Sequence, residues 1–158
     1  MLEIPITDVT DDEILYRRIL DGLGLYEVQA DGTVLFNSQA FADRSWRPSV
    51  DRAKLCNNDP KHTLGSFSGG VTSIVARDVR LINDIVQYDK NQNPIQLFKV
   101  DVEHVPIIDD PINPNNPAHA EIHTSPACPN RRVFKKLCEK LALLANARQW
   151  ELKPSNMP

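Results

Sequence analysis

Apolar and polar positions recur with a clear period in only part of this chain, and those parts set the expected elements. Val133, Phe134, Leu137, Leu141 and Leu144 return at intervals of three and four, with Lys and Arg between them. That spacing predicts an amphipathic helix over 129–152 with one buried stripe. Residues 118–124 alternate cleanly and predict a strand, and 95–108 read as a longer one. Residues 25–29 and 33–36 flank Ala30-Asp31-Gly32, a hairpin pattern, because glycine supplies the positive φ of a tight turn. Residues 14–20 follow the capping box Thr10-Asp11-Asp12-Glu13 and fit a short helix or a buried strand. Residues 71–76 are rich in β-formers, and the positions Val75, Val79, Ile82 and Val86 leave a helix or a second strand open after them. Residues 37–70 show little periodicity and read as long loops with one short helical piece near 49–55.

Together these elements predict a single α+β domain over 1–158. Its sheet is mainly antiparallel, with about five strands, and a C-terminal amphipathic helix packs on one face. Composition fits a folded domain: 41% of the residues are hydrophobic and 25% charged, so a disordered chain is not expected. A net charge of −3 provides no electrostatic footprint for nucleic acid and no basic membrane anchor. The three cysteines, Cys56, Cys128 and Cys138, are odd in number and widely spaced, which favours a reducing, cytoplasmic setting over a disulfide framework. The N-terminal residues have neither a basic nor an apolar leader region.

The sharpest local pattern is His119-Ala120-Glu121-Ile122-His123. On a strand, alternate residues share a face, so His119, Glu121 and His123 would point one way. Two imidazoles and a carboxylate together suit zinc or a base beside an acid, although a solvated polar strand face shows the same pattern. His104 shares strand parity with Val100 and Val102, which puts it on the core side as a histidine with one hydrogen bond, apart from that trio. Residues 65–70 read as a flexible glycine-rich loop, and Arg44, Arg47, Arg52, Lys54 and Lys61 around Trp46 as a solvated surface. Cys138 reads as packing, and Cys128 as a thiol just before a helix, where the dipole favours a thiolate.

Some segments resemble known proteins. His119-Ala120-Glu121 resembles the first motif of zinc nucleoside deaminases, but Pro126-Ala127-Cys128-Pro129 lacks the second thiolate that family needs. Asn37-Ser38-Gln39-Ala40-Phe41, Pro48-Ser49-Val50-Asp51-Arg52-Ala53 and Asn116-Pro117-Ala118-His119-Ala120-Glu121-Ile122 resemble uncharacterised bacterial proteins that carry the same three segments in this order. That likeness implies that Ser38, Phe41, Ser49, Arg52 and His119 assemble into one region. The order of Arg17 or Arg18, Ser38 or Ser49, then Glu121 resembles ADP-ribosyltransferase-like proteins. The resemblance implies NAD or another small nucleotide as ligand. Arg18, Ser49 and Glu121 would then be catalytic, with Arg52, Ser38 and His119 binding the ligand. Two other readings stand beside it: a non-catalytic module that meets a protein partner through its polar loops, and a metal-dependent hydrolase built on His119, Glu121 and His123, with zinc as a candidate ion.

Overall fold

The computed structural model describes residues 8–157. Among the described residues nine strands run in chain order: β1 (Ile14–Leu20), β2 (Tyr26–Val28), β3 (Val34–Phe36), β4 (Ser49–Arg52), β5 (Gly69–Val75), β6 (Ile85–Tyr88), β7 (Pro94–His104), β8 (His119–Ser125) and β9 (Trp150–Leu152). Three helices accompany them: α1 (Pro60–Leu64), α2 (Ala76–Arg80) and α3 (Arg131–Arg148). Seven strands form one sheet in the order β6-β7-β8-β4-β1-β5-β9, every neighbouring pair antiparallel, and β2–β3 is a separate hairpin.

This is the α+β domain with an antiparallel sheet and a packed C-terminal helix that the patterns predict, but the sheet is wider than five strands. Two of the extra strands come from segments read otherwise. Residues 49–52, expected within a helical piece, are a central strand, and only Ala53–Cys56 form a 3-10 turn. Their polar side chains lie on both faces, so no alternation of apolar and polar marks a strand. The helix expected to reach 152 stops at Arg148, because Gln149 takes φ 68° and turns the chain back along β5 as β9. The open choices resolve as well: 14–20 is a strand, and 75–86 contains α2 followed by β6.

One face of the sheet carries Leu15, Ile19, Val50, Ile74, Val100, Val102, Ala120 and Ile122 against Val133, Phe134, Leu137, Leu141 and Ala145 of α3. Each fully buried large side chain here stabilises the fold by roughly 1.5–3 kcal/mol. Asn130 caps α3, its side chain accepting from the Val133 amide at 3.0 Å. At the other end of α3, Asn146 and Gln149 accept from the Phe36 and Val34 amides, both at 2.7 Å, and so hold the β2–β3 hairpin. A smaller cluster on the opposite face, Tyr16, Ala53, Cys56, Val71 and Ala118, is partly covered by Leu55 and Leu64. Gly69 and Gly70, expected in a flexible loop, begin β5 instead. A Cβ on Gly70 would stand 2.6 Å from the Leu152 carbonyl oxygen, so the close approach of β9 requires glycine there. On the edge strand β6, Lys136 of α3 donates from Nζ to the Val86 carbonyl at 2.7 Å and sits over the Tyr88 ring.

Arg52 has no exposed side-chain surface and is held by Glu13, with Nε–Oε1 at 2.7 Å and Nη2–Oε2 at 2.8 Å. Burial pushes the Glu13 carboxyl up, but hydrogen bonds from Arg52 and the Thr10 amide, with the charges of Arg52 and Lys54, hold it below its ordinary value of 4.5. A depressed carboxylate contributes stability at pH above 4.5 that is lost as pH falls through the lower, folded-state value. Glu13→Gln is expected to cost about 3–5 kcal/mol at neutral pH, because it removes the charge that faces a buried guanidinium. Urea unfolding across acid pH should also show a shallower loss of stability below 4.5 in that variant than in the parent.

Candidate functional site

The antiparallel register decides which side chains meet on the face away from α3. Ser49 lies opposite Glu121, and Asp51 opposite His119. On the next strand, Asp101 faces His123 and Glu103 faces Glu121. Paired residues in an antiparallel ladder share a face. Ser49, Asp51, His119, Glu121, His123, Asp101 and Glu103 therefore form one polar surface centred on β4 and β8.

His119 is held at both ring nitrogens. It is 8% exposed, its Nδ1 lies 2.7 Å from the Val105 carbonyl and its Nε2 3.1 Å from Ser49 Oγ. A carbonyl accepts only, so Nδ1 carries the proton and Nε2 presents a lone pair to the serine hydroxyl. The Ser49 hydroxyl also lies 3.4 Å from Asp43 Oδ2, and the Ser49 carbonyl accepts from Arg17 Nη1 at 2.8 Å. Arg17 Nε and Nη2 bond the Ala40 and Ala42 carbonyls, each at 3.0 Å. Arg17 thus ties the Ser38–Phe41 turn to β1 and β4. Its burial lowers the guanidinium below the ordinary arginine value, against the opposing charge of Asp43. Arg47 bonds Glu121 through Nε at 2.8 Å and Glu103 through Nη2.

Beside this pair, Asp51, Cys56 and His62 bring one ligand-type atom each to within 4.8 Å of one another, and they are the only such group among the described residues. The 3-10 turn ends at Asn57, whose φ of 53° lets the chain reverse, and Asp59 then caps α1 by accepting from Lys61 N. That tight passage swings His62 back over Cys56. Asn116 joins the other two: Nδ2 donates to Asp51 Oδ1 at 2.8 Å, and Oδ1 lies 3.1 Å from His62 Nε2. Thr63 Oγ1 donates to Asp51 Oδ2 at 2.8 Å. Cys56 is a thiol that donates to the Arg52 carbonyl at 3.2 Å, and burial pushes it up to about 12.

Ser49, His119 and Glu121, three of the expected site residues, meet on one face of the sheet. Arg52 lies on the α3 side of β4, locked to Glu13, and does not reach this surface. Arg18 stacks 4.0 Å over the Phe67 ring, while Glu121 is held by Arg47. Ser38 sits in the turn that Arg17 anchors. His123 shares the face, yet His119, Glu121 and His123 do not converge within ligand distance, and both His119 nitrogens are engaged. His104 pairs with Ala120 and so takes the core side as expected, but its buried Nδ1 has no hydrogen-bond partner among the described residues. Burial, with the nearby Arg52 charge, lowers its pKa. The Cys128 thiol is raised by burial rather than lowered by the helix, its Thr124 hydrogen bond opposing only in part. Asp51, Cys56, His62 and Asn116 were missed, although the spacing Asp-x4-Cys-x5-His was there to be read.

Elsewhere, Leu81 and Leu143 are 67% and 61% exposed beside a concavity of about 340 Å³ that Lys140 and Asp84 also line. Among the described residues no helix is long and apolar enough to cross a membrane.

Asn116 is the bridge between strand and helix in this site. Asn116→Ala leaves Asp51 Oδ1 short of a donor and should cost about 1–3 kcal/mol in urea unfolding. In the same variant, the nuclear magnetic resonance signals of the His62 ring should show a more mobile side chain. No family model, no curated protein and no solved structure matches this chain.

Proposed function

We propose that this protein binds a divalent transition-metal ion of the zinc type through Asp51, Cys56 and His62 and serves as a metal-dependent hydrolase. The observation that carries the reading is the convergence of those three donor atoms within 4.8 Å on a framework shared through Asn116. Carboxylate, thiolate and imidazole are a donor set zinc accepts, and three protein ligands leave a fourth position open, as in hydrolytic sites. Bound there, the metal would supply Lewis acidity and a water acidified to a pKa of about 7.

The surrounding residues support the assignment. Asn116 Oδ1, 3.1 Å from His62 Nε2, orients the His62 ring beside Asp51. Asp51 is oriented by Thr63 and Asn116 while both its oxygens retain further lone pairs. Ligands about 2.0–2.3 Å from zinc stand roughly 3.5 Å apart, so the donors must draw together by about 1 Å. His62 is exposed and has that freedom. All three cysteines are free, so Cys56 is available as a ligand rather than held in a disulfide. Arg18 stacks on Phe67 and Glu121 is engaged by Arg47, which supplies less for an NAD-handling site.

The test is metal content by mass spectrometry together with thermal unfolding in zinc and in chelator. About one zinc per chain is expected, and zinc at a hundred times its Kd should add about 2.7 kcal/mol of stability. Cys56→Ser and His62→Ala should each abolish most of that gain, and His123→Ala should keep it. A gain that survives Cys56→Ser and His62→Ala but disappears in His123→Ala would move the metal to the His119-Glu121-His123 face. No gain in any protein would remove the metal reading.

A further inference from the structure

We propose that Ser49 is a nucleophile and His119 its general base, a catalytic pair for small acyl esters on the open face of the sheet. The inference goes beyond the metal reading and stands without it, because nothing in the Ser49–His119 geometry depends on Asp51, Cys56 or His62 as ligands.

A serine hydroxyl is a weak nucleophile until a base takes its proton, and the base must present a lone pair at hydrogen-bond distance. His119 Nε2 is 3.1 Å from Ser49 Oγ. A third group must hold the base in the correct tautomer, the part an aspartate plays in hydrolytic triads. Here the Val105 carbonyl does so, 2.7 Å from Nδ1. Both residues belong to strands inside a seven-stranded sheet, and the Ser49 carbonyl is pinned by Arg17, so the pair is held by rigid backbone.

Ser49 is the partly exposed member of the pair and His119 the buried one. The Arg47 and Glu121 side chains, 37% and 22% exposed, flank the pair, and the Ser49 side chain is itself half-buried. Arg47 uses Nε and Nη2 on its two glutamates. In the reaction, Oγ bonds to the acyl carbon as its proton passes to Nε2. The C–O bond to the leaving group then breaks, and that proton goes to the departing alkoxide. Water repeats the sequence in reverse to free the acid and restore Ser49. A hydroxyl that only satisfies a buried histidine would do none of this.

The experiment uses the full chain with a fluorophosphonate probe, in the presence of chelator. Attack by Oγ forms an O–P bond and expels fluoride, and the proton leaves through His119. Peptide mass spectrometry should find one phosphonyl adduct, on Ser49, absent from Ser49→Ala. His119→Asn keeps a side-chain donor for the Val105 carbonyl but has no base, and its labelling should fall about 10²–10⁴-fold. Ser49→Cys provides a second arm that does not alter His119. Its introduced thiol should react with iodoacetamide at least tenfold faster than Cys128 in the same protein. Absence of an adduct at Ser49, labelling in His119→Asn at the parent's rate, or an introduced thiol no faster than Cys128 would each overturn the pair. Because labelling proceeds in chelator, a failed metal reading leaves these results untouched, and a failed pair leaves zinc binding untouched.

Discussion

A guanidinium with no exposed surface has to find its partners inside the protein, and Arg52 finds them in Glu13 and the Asp8 carbonyl. Those bonds fix more than one side chain. They lock the segment before β1 against the end of β4, and β4 is only four residues long in the centre of the sheet. Desolvating such a pair is costly, and the return comes only when both charges stay matched. Correct placement of β4 then sets everything on its other face, because one residue of slip would turn Ser49 and Asp51 toward α3.

Arg17 does the complementary work from β1. Its three bonds to the carbonyls of Ala40, Ala42 and Ser49 give an irregular stretch the partners that a sheet ladder would otherwise supply. The two arginines thus explain why a segment without hydrophobic periodicity is ordered. Polar contacts, rather than an apolar stripe, specify it. On the outer face the consequence is a set of titratable groups placed by register: Ser49 beside His119, and Asp51 beside both His119 and Cys56.

Where apolar spacing carries the structure, the sequence was a good guide. The α3 stripe, the β7 and β8 alternation and the glycine turn of the hairpin all reported their elements, because burial on one face leaves a period. β4 was unreadable for the opposite reason: Asp51 and Arg52 are both buried, each satisfied by a partner distant in sequence. β9 was hidden because Trp150 and Leu152 continue the helical rhythm past a backbone reversal at Gln149. The site divides similarly. His119 and Glu121 could be singled out as residue types on a strand and Ser49 only through a resemblance, but Cys56 and His62 meet only because left-handed Asn57 and the cap at Asp59 fold the chain back. No local pattern announces that Asn116 will join them.

The lysine that α3 extends over β6 has a meaning for the protein in a crowded solution. An edge strand offers its open backbone groups to any passing chain, and β6 is such an edge. Lys136 occupies the Val86 carbonyl and sets a charge against Tyr88, where a foreign strand would need to lie flat. Colloidal behaviour is thereby written into a helix residue: the same turn of α3 that closes the core also discourages the sheet from growing beyond its own molecule.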